Sequence, residues 1–466
     1  MTKRKIYFRA DASAIIGYGH FVRTLALADM LKDDFECTFF TSSPSAYQIG
    51  EMKKVCSFVS LSEETCNEEF LSQLSGNEIV VLDNYFFTTE YMNQIKARGC
   101  RLVHIDDIHD RHFNADLIIN HGNAKAAMYD ANPDTRFCIG PSYALLRKPF
   151  LERKITNAPR KGKWVICFGG SDQYNLTEKV ARALANIADQ VVAIVGSAYN
   201  NRASLSSITY VNTLTSLSAE QMAYEFSSAE NVVCSASSVS YEALACGSNV
   251  YAGYYVDNQQ DFYEGLIKNN LITPLGNLFE ADFNKLLVQK KIAVNKIEID
   301  NARHNLVCAF KALDLRIVNY TEMTLDESRK VWEVRNLPEI RKCMTQPEAF
   351  PFESHQRFVE SLKNNHSKLY YAIFLGDDLV GSYDFNGIKD GDSAEHGLYI
   401  NPAYNGRGYG TIIESVMDSY IRERDVHRIL AEVLKNNQQS YHYHLKVGYK
   451  VYQEDAKYYY LDRFIQ

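Results

Sequence analysis

His20 follows a glycine-bracketed turn in RADASAIIGYGHFVRTLALADML, the stretch that continues the strand-like KRKIYF. With Leu25, Ala28 and Leu31 facing a sheet, His20 falls in the first helical turn at the carboxyl end of a strand, where open α/β sheets bind ligands. An imidazole there titrates near neutrality and can take a proton from water. The plainer reading is that Gly17 and Gly19 make a tight turn and His20 only starts the helix. The dinucleotide fingerprint GxGxxG is not met. Its third glycine position holds Val22, and the next strand, ECTFFTS, ends without an acid for a ribose, so no redox dinucleotide is expected.

Three further stretches have the chemistry of anion cradles. FGGSD sets Gly170, Ser171 and Asp172 between a strand and a helix, so backbone N–H groups can turn toward a pyrophosphate. Ser237 and Ser238 precede the helix of VSYEALACG, and Glu242 lies one turn inside it. That carboxylate could accept both hydroxyls of a ribose, or simply be a favourable acid near a helix start. Asn258 and Gln259, in YYVDNQQDF, read by themselves as a helix cap. Near the other end, GLYINPAYNGRGYGTIIESVM runs from a strand through Gly406, Gly408 and Gly410 into a helix. It is a second cradle, or a flexible β–α connection.

The elements that must hold these groups come in two textures. Up to about residue 312, Val-, Ile- and Phe-rich runs (KIYFRAD, CTFFTS, EIVVLDN, RLVHIDD, ADLIINH, then WVICFGGSD, VVAIVGS, ENVVCSAS, NVYAGYY) alternate with amphipathic segments, the rhythm of buried parallel strands. A basic aperiodic stretch at 148–163 divides them, which predicts two Rossmann-like domains, 1–150 and 151–312. From 316 to 466 the pattern is α+β, with antiparallel strands in LYYAIFLGDDLVGSYDFNG and EHGLYINP. Hydrophobic content of 46%, charged content of 23% and a net charge of −7 describe an ordinary globular chain with no basic face for nucleic acid or an anionic membrane. The ten cysteines are scattered without CxxC or metal spacing, so reduced thiols, no metal and a cytoplasmic setting are expected.

The first 290 residues resemble the UDP-sugar hydrolases of pseudaminic acid biosynthesis. RADASAIIGYGHFVRTLALA matches their RxDxSxxIGxGHxxRxLxLA pattern, HIDDIHDRHFNADLIIN their DDxxxRxxxxDLxxxxN block, FGGSDQYNLT their GGSDxxNLT loop, and SASSVSYEALACG their SAGSTxxEAxxxG segment. The resemblance implies a pair of Rossmann-like domains in a GT-B arrangement, with water as the sugar acceptor. It makes His20 the catalytic base and puts Tyr85 in the active site. It assigns Arg9, Asp11, Gly17, Gly19, Gly170, Ser171, Asp172, Ser237, Ser238, Glu242, Asn258 and Gln259 to the UDP-sugar site. By itself, the DNYFF stretch allows Asp83 and Tyr85 merely to end a strand.

Residues 316 to 462 resemble the GNAT acetyltransferases, whose (Q/R)xxGx(G/A) loop binds coenzyme A. Here Asn405 replaces the usual Gln or Arg, while Gly406, Arg407, Gly408, Tyr409 and Gly410 continue the loop, and the backbone of Leu398, Tyr399 and Ile400 would align the thioester. QSYHYHLKVGY is similar to the second signature, with His444 where a tyrosine protonates the departing thiolate; Tyr441 and Tyr443 lie close by, and helix packing is an equal alternative for His444. Glu395 and His396 are candidate water-mediated bases. WEVRNLPEIRKCM resembles the helices of the branch that acetylates nucleotide-linked amino sugars. Together the resemblances imply acetyl-CoA as co-substrate, UDP-linked amino and diacetamido sugars as partners, and two successive steps of one pathway in a single chain. A legionaminic or other nonulosonic route, a GT-B glycosyltransferase fused to an acetyltransferase, and a non-catalytic nucleotide-sugar sensor are the competing readings.

Overall fold

The computed structural model describes residues 3–12, 18–152, 162–170, 172–185, 188–196, 198–286, 299, 301–344, 346–421 and 424–465. They divide into two compact units, Met1–Val307 and Cys308–Gln466. The boundary falls inside the helix Ala302–Ala312, because Cys308 and Ala312 pack into the core of the second unit.

The first unit holds two parallel sheets. One has the order β3-β2-β1-β4-β5-β6-β7, from strands β1 (Lys5–Arg9), β2 (Glu36–Ser42), β3 (Ser57–Leu61), β4 (Ile79–Leu82), β5 (Arg101–Ile105), β6 (Leu117–Asn120) and β7 (Arg136–Ile139). The other runs β10-β9-β8-β11-β12-β13, from β8 (Lys163–Cys167), β9 (Gln190–Val195), β10 (Val211–Thr215), β11 (Asn231–Ser235), β12 (Asn249–Tyr254) and β13 (Thr273–Asn277). Central strands such as IVVL of β4 are buried at every position, as sheets covered on both faces require. Each of those side chains contributes about 1.5–3 kcal/mol by leaving water. The order places the carboxyl ends of β1 and β4 side by side, with helix α1 (Gly19–Leu31) starting above them. Here the chain reverses its direction of winding, the switch point at which such sheets take ligands.

The second unit is one mixed sheet, β14-β15-β16-β17-β18-β20-β19, from β14 (Leu315–Asn319), β15 (Leu369–Leu375), β16 (Asp378–Lys389), β17 (Ser393–Ile400), β18 (Arg428–Leu434), β19 (Lys450–Glu454) and β20 (Tyr458–Phe464). Its neighbours are antiparallel except β17 and β18, which pair in parallel over Ser393–Glu395 only. Beyond Glu395 the two strands part. Strand alternation sends Tyr383 and Phe385 into the core shared with helix α7 (Tyr409–Met417), and Tyr370 and Ala372 toward helices α5 (Leu325–Arg335) and α6 (Phe352–Leu362). A Thr324 and Glu327 capping box starts α5.

Candidate active sites

In the first unit, His20 is buried in the opening turn of α1, and its Nδ1 lies 2.8 Å from Oδ1 of Asp83, the residue after β4. Asp83 has no exposed surface and accepts three more hydrogen bonds. Arg23 Nε and Nη2 donate at 2.7 and 2.6 Å, and Thr24 Oγ1 at 2.7 Å. Arg23 Nη1 reaches Asp107 at 2.8 Å. Burial alone would raise Asp83, but the charge and hydrogen bonds of Arg23, with those of His20, outweigh it and hold the carboxyl far below its ordinary range. Arg23 Nη2 also lies 3.1 Å from Nδ1 of His20, but the carboxylate is nearer and an ionised Asp83 is an acceptor only, so Nδ1 donates to it and Nε2 is left as the acceptor. The phenol of Tyr85 meets the imidazole edge-on at 4.5 Å and accepts from Asn258 Nδ2 at 3.2 Å. Burial, then the nearby Asp107 charge, push that phenol up, so it stays a neutral O–H.

Arg23 and Asp107 carry no role in the sequence pattern, and Asp83 stands there only as a possible strand end. The signal was present. Arg23 stands three residues after His20, hence on the same helix face, and Asp107 sits in the DD pair of HIDD.

Several of the expected ligand contacts also make bonds within the fold. Arg9 is wholly buried and donates to Asp11, whose Oδ1 also accepts from Thr41 Oγ1 at 3.2 Å and Ser42 N at 2.7 Å. The amide and carbonyl of Asp11 are tied to Asn84 at 2.6 and 3.2 Å. This pair binds the ends of β1, β2 and β4 together, while Nε and Nη2 of Arg9 are buried with no hydrogen-bond partner among the described residues. Asp172 is likewise spent: its carboxylate takes the amides of Leu176 and Thr177 at 2.9 and 2.7 Å, capping helix α2 (Leu176–Leu184). Gly170 is exposed, with its carbonyl packed so close to Gly196 that a methyl there would sit 2.2 Å from it. Glu242, in helix α3 (Ser238–Ala245), is 3% exposed and bound through both oxygens to Arg147, at 2.7 and 2.9 Å. Its carboxylate faces a fixed cation rather than open space. Arg147 stands immediately before the basic stretch 148–163.

Ser237 caps α3 from a half-buried position, its hydroxyl 3.3 Å from that of Ser235, and Ser238 is half-buried beside it. Gln259 folds back to accept from Tyr255 N at 3.2 Å, while Asn258 is exposed. Gly19 is exposed with open space around it. Gly17 and Ser171 lie outside the described residues. What the structure brings together is therefore His20, Tyr85 and Asn258, on an ion-pair base of Asp83, Arg23 and Asp107.

In the second unit, Leu398, Tyr399 and Ile400 lie on β17 past the point where it leaves β18, paired on the other side with Tyr383, Ser382 and Gly381. After Ile400 the chain runs through Asn405, Gly406, Arg407 and Gly408, all exposed, into α7 at Tyr409 and Gly410. Gly406 and Gly408 have φ of +74° and +83° with no neighbour within 4 Å of an added Cβ. Only glycine adopts that backbone without strain, and the turn leaves the helix amides open. An acyl-CoA pyrophosphate fits such a cradle, with the backbone of β17 beyond the splay free to align the rest.

His444, in helix α8 (Gln438–Lys446), is buried, its Nδ1 on the Ser440 carbonyl at 2.7 Å and its Nε2 3.0 Å from Nε2 of His396. Since Nδ1 must donate to a carbonyl, Nε2 accepts from His396. Burial lowers both imidazoles, so neither is cationic at neutral pH. Each nitrogen of His444 already has a partner inside the fold. This geometry suits the packing alternative for His444, while Nδ1 of His396 is buried with no hydrogen-bond partner among the described residues. Tyr443 is bound to Glu414 at 3.1 Å, and Tyr441 stacks on Tyr459 at 4.3 Å.

Glycine-rich helix start and splayed strand define an acyltransferase of the α+β class. Residues 334–449 match the acetyltransferase (GNAT) family. Acetyltransferase PseH of Campylobacter jejuni is 30% identical over 148 residues, covering 32% of this chain and 92% of that protein, and through this part the chain belongs to the GNAT acetyltransferase family. A Campylobacter jejuni protein named UDP-2,4-diacetamido-2,4,6-trideoxy-beta-L-altropyranose hydrolase is 28% identical over 277 residues, 57% of this chain and 96% of its own. An uncharacterized protein of Methanocaldococcus jannaschii is 24% identical over 481 residues, covering 96% of each chain. Among the described residues no group of three or more His, Cys, Asp and Glu is placed to hold a metal, and no helix is long and apolar enough to cross a membrane.

Proposed function

We propose that this chain is a bifunctional enzyme of pseudaminic acid biosynthesis. Its second unit transfers acetyl from acetyl-CoA to the 4-amino group of UDP-4-amino-4,6-dideoxy-N-acetyl-beta-L-altrosamine. Its first unit then hydrolyses UDP-2,4-diacetamido-2,4,6-trideoxy-beta-L-altropyranose, releasing UDP with inversion at C1. In this reading the two parallel sheets form a GT-B pair, and the chain works in the cytoplasm on UDP-sugars, without a metal.

The observation that carries the reading is the His20–Asp83 pair, which fixes the imidazole with Nε2 as the acceptor. His20 takes the proton of a water as it attacks C1 from the face opposite the leaving UDP. Tyr85 and Asn258 hold the sugar phosphate side, and Gly19, Gly170, Ser237 and Ser238 give amides and hydroxyls to the diphosphate. The Glu242–Arg147 pair fixes the start of the helix that carries these donors. In the second unit the backbone from Leu398 to Ile400 aligns the thioester, and the 405–410 turn takes the CoA pyrophosphate.

The test is to supply the purified chain with the UDP-linked 4-amino sugar and follow free CoA and free UDP with and without acetyl-CoA. Both products, with UDP dependent on acetyl-CoA, are expected. CoA without UDP would make the first unit a transferase or a sensor. His20→Ala should lower UDP release by ~10²–10⁴ while leaving UDP binding intact; unchanged turnover would remove His20 from the mechanism.

A further inference from the structure

A protonated amine must lose a proton before it attacks a thioester, and the imidazoles of His396 on β17 and His444 on α8 are bound to each other. Asp384 lies on the other face of the same sheet. It stands on β16 directly opposite Gly397 of β17 and Tyr370 of β15. The absence of a side chain at Gly397 is what makes room for it: a Cβ there would meet Oδ2 and Oδ1 of Asp384 at 2.7 and 2.9 Å. The carboxylate thus covers the backbone of β17 one residue before Leu398, beside the splay, on the face packed by α5 and α6. Asn386 Nδ2 donates to its Oδ1, and Tyr370 donates to Asn386 Oδ1 at 2.9 Å.

We propose that Asp384 is the base of the acetyl transfer, taking the proton of the acceptor amine at the edge of the β16–β17 pair. The inference rests on reading this unit as an acetyltransferase of amines. The ammonium nitrogen gives one of its three protons to the carboxylate, and the neutral amine so formed makes the C–N bond to the thioester carbonyl carbon. The C–S bond then breaks, and the second proton of the nitrogen goes to the departing sulfur. No oxidant or metal enters the balance.

The surroundings suit the task. Burial raises Asp384 to about 7, where a carboxylate is half ionised at neutral pH and basic enough to accept from an ammonium. Asn386 opposes the rise. Glu395 of β17 adds to it, and Arg335 of α5 and Lys368, ahead of β15, partly offset it. Tyr370 and Tyr399 face the same side with phenols raised by burial, so they bring hydrogen-bonding groups but no charge. Nη1 of Arg335 is buried with no hydrogen-bond partner among the described residues.

The experiment compares the full chain with Asp384→Asn across pH 6 to 9.5, following CoA release with the UDP-linked 4-amino sugar and with a panel of simple primary amines. Acetyl-CoA binding, measured by calorimetry, reports the fold of each variant. The wild type should show kcat/KM rising with pH through about 7. Asp384→Asn should lose ~10²–10⁴ at pH 7, bind acetyl-CoA as before, and recover toward wild type at pH 9 as the amine sheds its proton unaided. If Asp384→Asn fails to bind acetyl-CoA, Gly397→Ala keeps the carboxylate but displaces it, and the same loss at pH 7 with recovery toward pH 9 is expected. A variant within threefold of wild type at pH 7, or a deficit equal at every pH, overturns the proposal. Turnover of a simple amine but not the sugar refutes the proposed substrate while the variant still reads the base. No turnover of any amine overturns both.

Discussion

Asp83→Asn separates orientation of His20 from simple support. The amide replaces one oxygen by NH₂, and both oxygen positions are spoken for. At the Oδ1 position the NH₂ would face His20 Nδ1 and Arg23 Nη2; at Oδ2 it would face Arg23 Nε and Thr24 Oγ1. Only Nδ1 and the Thr24 hydroxyl can turn acceptor, so the amide nitrogen settles against one of them. If it is Nδ1, the imidazole is forced into the tautomer with a proton on Nε2, which can no longer take one from water. A wrong tautomer costs about 10⁴ in kcat in a hydrolase that depends on it. The charge loss is separate: Arg23 keeps Asp107 at 2.8 Å but loses its buried counterion, a cost of ~3 kcal/mol. Against a total stability of ~5–15 kcal/mol this leaves at least ~2 kcal/mol, roughly a 30:1 folded ratio. The assay is UDP release at saturating diacetamido sugar, with calorimetric melting measured on the same preparation. Expected are a kcat lower by ~10³–10⁴, an unchanged KM, and a lower Tm. A kcat within threefold of wild type beside a lowered Tm would mean that the carboxylate only buttresses Arg23, and the reasoning about the tautomer would be refuted.

His444→Phe keeps a ring of similar size and deletes two internal bonds, so the second unit should lose ~1–3 kcal/mol of stability while CoA release stays within tenfold; a hundredfold loss at normal Tm would restore the proton-donor role. Gly408→Ala puts a side chain at φ of +83°, at a cost of ~1–2 kcal/mol. The KM for acetyl-CoA should rise with kcat little changed, and titration calorimetry that finds undiminished affinity would show that the cradle is not used. Asp83 and Asp107 both titrate lower in the folded chain than the ~3.9 of a free carboxyl. The stability they add is therefore complete above about pH 4 and drains as the pH falls through their depressed values. Melts of the first unit should fall steeply below pH 4, and a Tm flat to pH 3 would contradict this.

The central strands were legible because nothing but a doubly covered sheet explains runs such as IVVL and NVVCS. Edge strands were not. SFVSL at Ser57–Leu61 and TPLGN at Thr273–Asn277 carry serine, proline and glycine, and are strands only because a neighbour offers a ladder. The site was half legible for a similar reason. His20 announces itself through its glycines, whereas Asp83 looks like the polar end of any strand until β1 and β4 are known to be neighbours. Glu242 and His444 were read as ligand-facing because their partners, Arg147 and His396, stand 95 and 48 residues away in sequence. Local pattern cannot show that a polar side chain is already satisfied from afar. Asp384 escaped for the opposite reason: an acid within SYDFN reads as a solvated strand face, and only the pairing with Gly397 gives it a place.

The two units arrive at a base by different physical routes. What His20 needs is direction, and Asp83 gives that by holding Nδ1. The cost is a buried carboxylate, which Arg23 and Thr24 neutralise. A carboxylate has the reverse problem. It is easily aimed but too weak a base toward an ammonium, and the remedy is to remove its water, as the packing of Asp384 over Gly397 does. An arginine as close to Asp384 as Arg23 is to Asp83 would undo that remedy. Arg335 therefore has to act on it from a distance, and no ion pair joins the two among the described residues. The test of this contrast lies in the salt and pH response. Hydrolysis by His20 should tolerate changes around Asp384, and acetyl transfer should tolerate changes around Asp83, because neither base draws its chemistry from the other unit.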